Sequence, residues 1–151
     1  MVNLNKIVRK KLGEILVEEG LLREEQIQEA LKTQKETGGL LGEVLVKLAF
    51  LREEDIARAI VKQFGLPYID ASKYNINVEA LEVVPRKMMW DNQFIILDKI
   101  GQVMTVAVSG LMSPAIFEDI EKTTGSQLFL YVSTGTQVRQ ALEKHAPRDV
   151  S

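Results

Sequence analysis

Between residues 11 and 63 the apolar positions recur at helical spacing, and they do so twice. Leu12, Ile15, Leu16 and Glu19 fall together in a first helical run, which Gly20 ends as a C-cap glycine would. Ile27, Ala30 and Leu31 make an i, i+3, i+4 stripe in a second run, with Gln34 at i+7 on the same stripe. Ile56, Ala59, Ile60 and Gln63 repeat that arrangement. A shift of 29 positions lays residues 11–34 on residues 40–63 with 12 identities in 24 aligned positions, across a five-residue spacer, 35–39. This repetition predicts two copies of one helix-pair unit, each burying its apolar stripe against its twin. Arg23-Glu24-Glu25 and Arg52-Glu53-Glu54 open the second helix of each copy. Acids suit a helix N-terminus, where the macrodipole is positive. The usual Ser, Thr, Asp or Asn cap is absent there.

The pattern changes after Gln63. Gly65 and Pro67 stop the helix, and the proline biases Leu66 toward extended backbone. Residues 78–84 read as a short helix ended by Pro85, and residues 86–92 as another turn or two. Met88, Met89 and Trp90 in that stretch read as core or lobe contact. Residues 94–100 and 102–108 are strand-like, with a turn at Ile100-Gly101 or over 98–101. Residues 114–124 read as a helix with Ser113 as N-cap, Pro114 at the first helical position and Gly125 at its end. A third strand over 128–132 and a helix over 134–145 complete the order β-β-α-β-α. The expected fold is therefore α+β: a helical lobe from the tandem 24-residue repeat over 1–65, then a small mixed α/β lobe over 66–151.

Two features of the repeat ask for more than packing. An amide, Gln34 or Gln63, ends each otherwise apolar row, and burying an amide is costly unless it finds partners. Each copy also starts Leu-Gly-Glu, at Leu12-Gly13-Glu14 and Leu41-Gly42-Glu43. A glycine near a helix start bares amides where an anion or a flat ring can approach. The plainer reading gives Gly13 and Gly42 to tight helix crossing and leaves the glutamines half-exposed.

This tandem pattern resembles the N-terminal domain of the type II secretion and type IV pilus assembly ATPases, specifically its MshEN type. Members of that type bind cyclic di-GMP through two 24-residue motifs of the form Arg-Leu-Gly…Leu…Gln, joined by a five-residue spacer. The resemblance extends over nearly the whole chain, including a Leu-Pro-Tyr-Ile-Asp link at residues 66–70. It implies a non-enzymatic cyclic di-GMP receptor that needs no cofactor. Arg9 and Lys11 would be the cationic contacts. Leu12 with Gly13, and Leu41 with Gly42, would form surfaces at the helix starts. Ile27 with Leu31, and Ile56 with Ile60, would supply an apolar floor. Gln34, Gln63 and Glu43 would be the polar contacts, Glu43 accepting from a guanine edge. The chain departs from the family pattern at Lys11, where the leading Arg stands. It departs again at Ala49, opposite Gly20, and at Ser109-Gly110-Leu111, where members often carry Ala-Asp-Pro. The family also implies a second function, docking on the inner-membrane platform protein of a secretion or pilus machine. An apolar patch around residues 88–90 would favour that reading, and a groove lined by Gly13, Gly42 and the two glutamines would favour the nucleotide.

Composition narrows the chemistry. The 151 residues carry a net charge of −2, so no global basic field points to DNA or RNA. The absence of cysteine rules out disulfides and thiolate chemistry and fits a reducing, cytoplasmic setting. No run approaches the roughly 20 apolar residues that span a bilayer, so direct membrane insertion is not expected. Residues 1–11 are locally basic, through Lys6, Arg9, Lys10 and Lys11, either a solvated leader or a phosphate-attracting patch. No GxxxxGK[ST] loop, metal-spaced cluster or catalytic triad appears. The paired acids Glu24-Glu25 and Glu53-Glu54-Asp55 read as solvated charges that oppose the helix dipole, and His145 as a C-terminal helix residue.

Overall fold

The structure, a computed structural model, describes residues 11–110 and 114–148. The expected N-cap at Ser113 lies outside them. Each copy of the repeat folds into two helices: α1 (Leu12–Glu18) and α2 (Glu24–Thr37), then α3 (Leu41–Lys47) and α4 (Glu53–Phe64). The copies share their local devices. Gln26 accepts from the Arg23 backbone N–H at 2.9 Å, and Asp55, its aligned partner, accepts from the Arg52 N–H at 3.0 Å. The third helical residue thus reaches back to the N-cap amide and supplies half of a capping box where no Ser or Asp caps forward. Gly20 ends the first unit at φ +73°, and Ala49 takes the same left-handed turn at φ +60°.

The copies pack as near-twins. A Cβ on Gly13 would stand 3.3 Å from Ile27 Cγ2 and 3.8 Å from Leu41 Cδ2. One on Gly42 would stand 3.4 Å from Ile56 Cδ1 and 3.6 Å from Leu12 Cδ2. Each glycine therefore lets the helix start of its copy close on its own second helix and on the leucine of the other copy. Lys62 also bridges to Glu19 at 3.0 Å, tying α4 to the end of α1. Most of the five-residue spacer is helical: α2 runs on to Thr37, and of residues 35–39 only Gly38 and Gly39 leave the helix. Lys35, Glu36 and Thr37 are compatible with helix, and the Thr37 hydroxyl bonds back to the Thr33 carbonyl at 2.9 Å.

The link after α4 is extended and belongs to the sheet. Pro67 accepts from the Val132 N–H at 2.9 Å, and the Ile69 N–H returns to Val132 at 3.0 Å. Two 3₁₀ segments follow, Ala71–Lys73 and Val78–Val83, the second capped by Asn77, which accepts from the Glu79 N–H. The short helix expected over 78–84 is thus 3₁₀. Then come α5 (Arg86–Asn92), β1 (Phe94–Ile100), β2 (Val103–Val108), α6 (Pro114–Thr124), β3 (Gln127–Val132) and α7 (Gly135–His145). The sheet is mixed, in the order β1-β2-β3: β1 runs antiparallel to β2 and β2 parallel to β3. Gly101, at φ +60°, turns the hairpin. The fold class is α+β, a helical lobe followed by a small mixed α/β lobe.

One core runs through both lobes. Ile15, Leu16, Leu45 and Ile60 fill the helical part, and Phe94, Ile95, Ile96 and Leu97 are buried in succession along β1. Four consecutive buried residues mean that both faces of that strand are covered. Among the described residues no helix is long and apolar enough to cross a membrane.

Candidate functional site

A cavity of about 630 Å³ opens where the second repeat copy meets the α/β lobe. One wall is built along α3 and from the first turn of α4: Leu40, Leu41, Gly42, Glu43, Val46, Lys47, Glu53 and Ile56, with Leu12 of copy one beside them. The other wall carries Trp90, Asn92, Gln93, Ser109, Gly110, Ile116, Gly135, Arg139 and Arg148. Its size lies within the range of about 300–1,000 Å³ that small-molecule sites occupy.

The second wall is held by its own hydrogen bonds. Gln93 closes α5 in the left-handed region at φ +50°, and its side-chain amide donates to the Trp90 carbonyl at 2.7 Å. Ser109, just past β2, donates its hydroxyl to the Gln93 carbonyl at 3.0 Å. Trp90 donates Nε1–H to the Ala146 carbonyl at 2.8 Å, and the Arg148 guanidinium lies 4.6 Å from the centroid of its ring. A guanidinium at that distance is attracted to the negative face of the indole. Trp90 is thus buried, as its sequence context implied, yet its ring also faces the cavity with a cation laid on it.

Charge in the cavity is uneven in its partnering. Lys47 and Arg139 make no ion pair among the described residues, and Arg148 is held by the ring rather than by a carboxylate. Glu53 is fixed: one of its oxygens accepts from the Thr136 N–H at 3.1 Å and from the Thr136 hydroxyl at 2.8 Å. This corrects the reading of Glu53 as a solvated charge. It is half-buried and fastens the repeat to the first turn of α7.

The residues singled out from the sequence separate into groups. Leu12, Leu41, Gly42, Glu43 and Ile56 stand together on the cavity wall. Gly13 and Ile27 are buried under the helix crossing, Ile60 is fully buried, and Leu31 packs half-buried on the same core. Gln34 donates its amide to the Gly39 carbonyl at 3.0 Å and so braces the spacer. Gln63 is half-buried, with no hydrogen bond to its side chain among the described residues. Lys11 is the exposed residue that precedes α1. Arg9 lies outside the described residues. Sequence reasoning passed over Lys47, Gln93, Arg139 and Arg148. One signal was present: Lys47 stands where copy one has Glu18, a charge reversal inside the repeat.

The MshEN domain family matches residues 64–151. This chain belongs to that family. The match to the MshEN domain begins at Phe64, the last residue of α4, and so rests on the link and the α/β lobe. Similarity to longer proteins takes in the repeat as well. The type IV pilus assembly ATPase PilB of Thermus thermophilus is 33% identical over 140 residues, 91% of this chain. PilB of Myxococcus xanthus is 24% identical over 135 residues, 89% of this chain. This MshEN domain spans only 16% and 24% of the lengths of those two relatives. Among solved structures, that of MshE with cdg superposes with a TM-score of 0.64 at 28% identity, covering 90% of this chain and 99% of that one. The N-terminal domain of XpsE shares the fold, with a TM-score of 0.59 at 20% identity over 86% of this chain and 90% of its own.

Proposed function

We propose that this MshEN domain is a non-enzymatic receptor for cyclic di-GMP, acting as a cytoplasmic regulatory module of a pilus or secretion ATPase. One observation carries the reading: a cavity of nucleotide size is lined by cations that have no carboxylate partner among the described residues, by a tryptophan ring and by a bare Leu-Gly helix start. A cyclic dinucleotide offers complementary groups. Its two phosphodiesters suit Lys47, Arg139 and Arg148. Its guanine planes suit the apolar surfaces of Leu12, Leu41, Ile56 and Trp90, and Glu43 can accept from a guanine edge. The likeness to the structure of MshE with cdg, which we read as cyclic di-GMP, supports the same ligand.

Docking on an inner-membrane platform protein has less to rest on. Met89 and Trp90 are buried and Met88 is half-buried, so no apolar patch is offered at residues 88–90. Titration calorimetry with cyclic di-GMP tests the receptor reading. Binding should be accompanied by a change in the emission of Trp90, the single tryptophan of the chain. Arg148→Ala and Lys47→Ala should each weaken binding by about 1–3 kcal/mol, as loss of a charge-assisted contact does. The absence of both heat and thermal stabilisation at about 1 mM ligand removes the reading.

A further inference from the structure

Three cations and two carboxylates line the cavity, and the two carboxylates are not equivalent. Glu43 is exposed at the start of α3 and free to turn toward water. Glu53 is not. Thr136 holds one of its oxygens through two hydrogen bonds, at 3.1 and 2.8 Å, and the Cβ position of Gly135 would lie 3.3 Å from the same atom. The cavity therefore carries one negative charge that a guest cannot push aside. We infer that Glu53 is the specificity-determining residue of this cavity, a fixed charge that admits phosphodiesters and turns away nucleotides bearing a terminal phosphate. This rests on the reading of the cavity as a nucleotide site.

The chemistry follows from charge counting. A cyclic dinucleotide carries one negative charge on each of two phosphodiesters. The linear dinucleotide with a 5′-phosphate has the same bases and sugars. It exchanges one diester for a terminal group and so carries about one more negative charge near neutral pH. Repulsion between that group and a fixed carboxylate is screened less inside a cavity than at the open surface. The cations attract both guests, whereas Glu53 penalises the more charged one further.

The experiment compares affinities for cyclic di-GMP and for linear 5′-pGpG by calorimetry, in the unaltered protein, Glu53→Gln and Glu24→Gln. Glutamine keeps a carbonyl oxygen for Thr136 and removes the charge. Glu24 is the aligned residue of copy one, is exposed, and accepts from Gln28 of its own helix. The expected result is a preference for the cyclic ligand that narrows by about three- to tenfold in Glu53→Gln and is unchanged in Glu24→Gln. An unchanged preference in Glu53→Gln, or an equal shift in Glu24→Gln, overturns the inference while leaving the receptor reading intact. If the unaltered protein binds neither ligand, both fall.

Discussion

Thr136 gives its backbone N–H and its hydroxyl to a single oxygen of Glu53, joining α4 to α7 across 83 positions of sequence. Glu24, which occupies the same place in copy one, accepts among the described residues only from the Gln28 side chain at 3.2 Å, in solvent. The two glutamates sit in near-identical local sequence, and what lies opposite separates them. Glu53→Ala should cost about 1–3 kcal/mol of folding stability, the loss of charged hydrogen bonds in a half-buried setting. Glu24→Ala should stay within about 0.5 kcal/mol. Urea denaturation midpoints for the two variants check this, and equal losses would refute a lobe-joining role for Glu53.

Ala49 offers a second comparison between the copies. It stands at φ +60°, in the turn that Gly20 makes at φ +73°. The left-handed region costs an L-residue roughly 1–2 kcal/mol that glycine does not pay. Some of that gain is returned, because glycine is also freer in the unfolded chain. Ala49→Gly should therefore stabilise the domain by about 1 kcal/mol, which raises Tm by roughly 2–4 °C for a protein of this size. Gly20→Ala should shift Tm the other way. Calorimetric melting of the pair measures both, and a lower Tm for Ala49→Gly would contradict the strain.

Asp55 sets part of the acid limit. Its carboxylate accepts from the Arg52 backbone N–H at 3.0 Å, with the Arg52 and Arg58 guanidinium groups at 3.6 and 3.9 Å. The backbone bond, helped by the Arg52 side chain and by the charges of Arg52 and Arg58, holds its pKa below the ordinary 3.8, against the opposing pull of partial burial. A carboxyl whose folded pKa lies below its unfolded value stabilises the fold fully above the unfolded value. That contribution is lost as pH falls through the folded value. Asp55→Asn keeps an acceptor for the Arg52 N–H but does not titrate. The unaltered protein should be the more stable at neutral pH, and its advantage should shrink from roughly pH 5 downward through the region below 3.8. Melting curves taken across that range decide it. A gap that is constant with pH, or that widens in acid, would contradict the assignment.

Much of the fold is legible because it is written locally. The 29-residue shift exposes the repeat, and the helices at Arg86–Asn92 and Pro114–Thr124 and the strand at Phe94–Ile100 begin and end at their sequence signals. The site is less legible because it is made by distant pairs. Trp90 meets Arg148, and Glu53 meets Thr136, only after the lobes close, and no periodicity reports which copy faces the α/β lobe. Leu12 of copy one reaches the cavity, but other residues of that copy that resemble binding residues in type are occupied otherwise. The Gln34 amide is used by Gly39, and Gly13 makes room for Ile27. A repeat makes two surfaces look alike in sequence, and the fold then places them in different surroundings.

Gly110 is where the chain leaves the family pattern on the cavity wall itself. Among the described residues a Cβ there would meet nothing within 4 Å, and its backbone lies outside the left-handed region, so none of them stands in the way of a side chain. Family members often carry Asp at this point, and here that residue would stand in the cavity lining. Gly110→Asp should leave folding stability within about 0.5 kcal/mol. Its effect on cyclic di-GMP affinity depends on which part of the ligand lies against this wall. A carboxylate facing a guanine N1–H and N2–H edge gains charge-assisted hydrogen bonds, whereas one facing a phosphodiester adds repulsion. If the cations hold the phosphodiesters, Arg139 of α7 and Arg148 on this wall and Lys47 of α3 on the facing one, a base edge is left for the stretch at Ser109-Gly110. Affinity should therefore rise by about tenfold in Gly110→Asp, the order expected of one well-placed charged acceptor. Weaker binding in calorimetry would put a phosphate at this wall and reverse the orientation of the ligand.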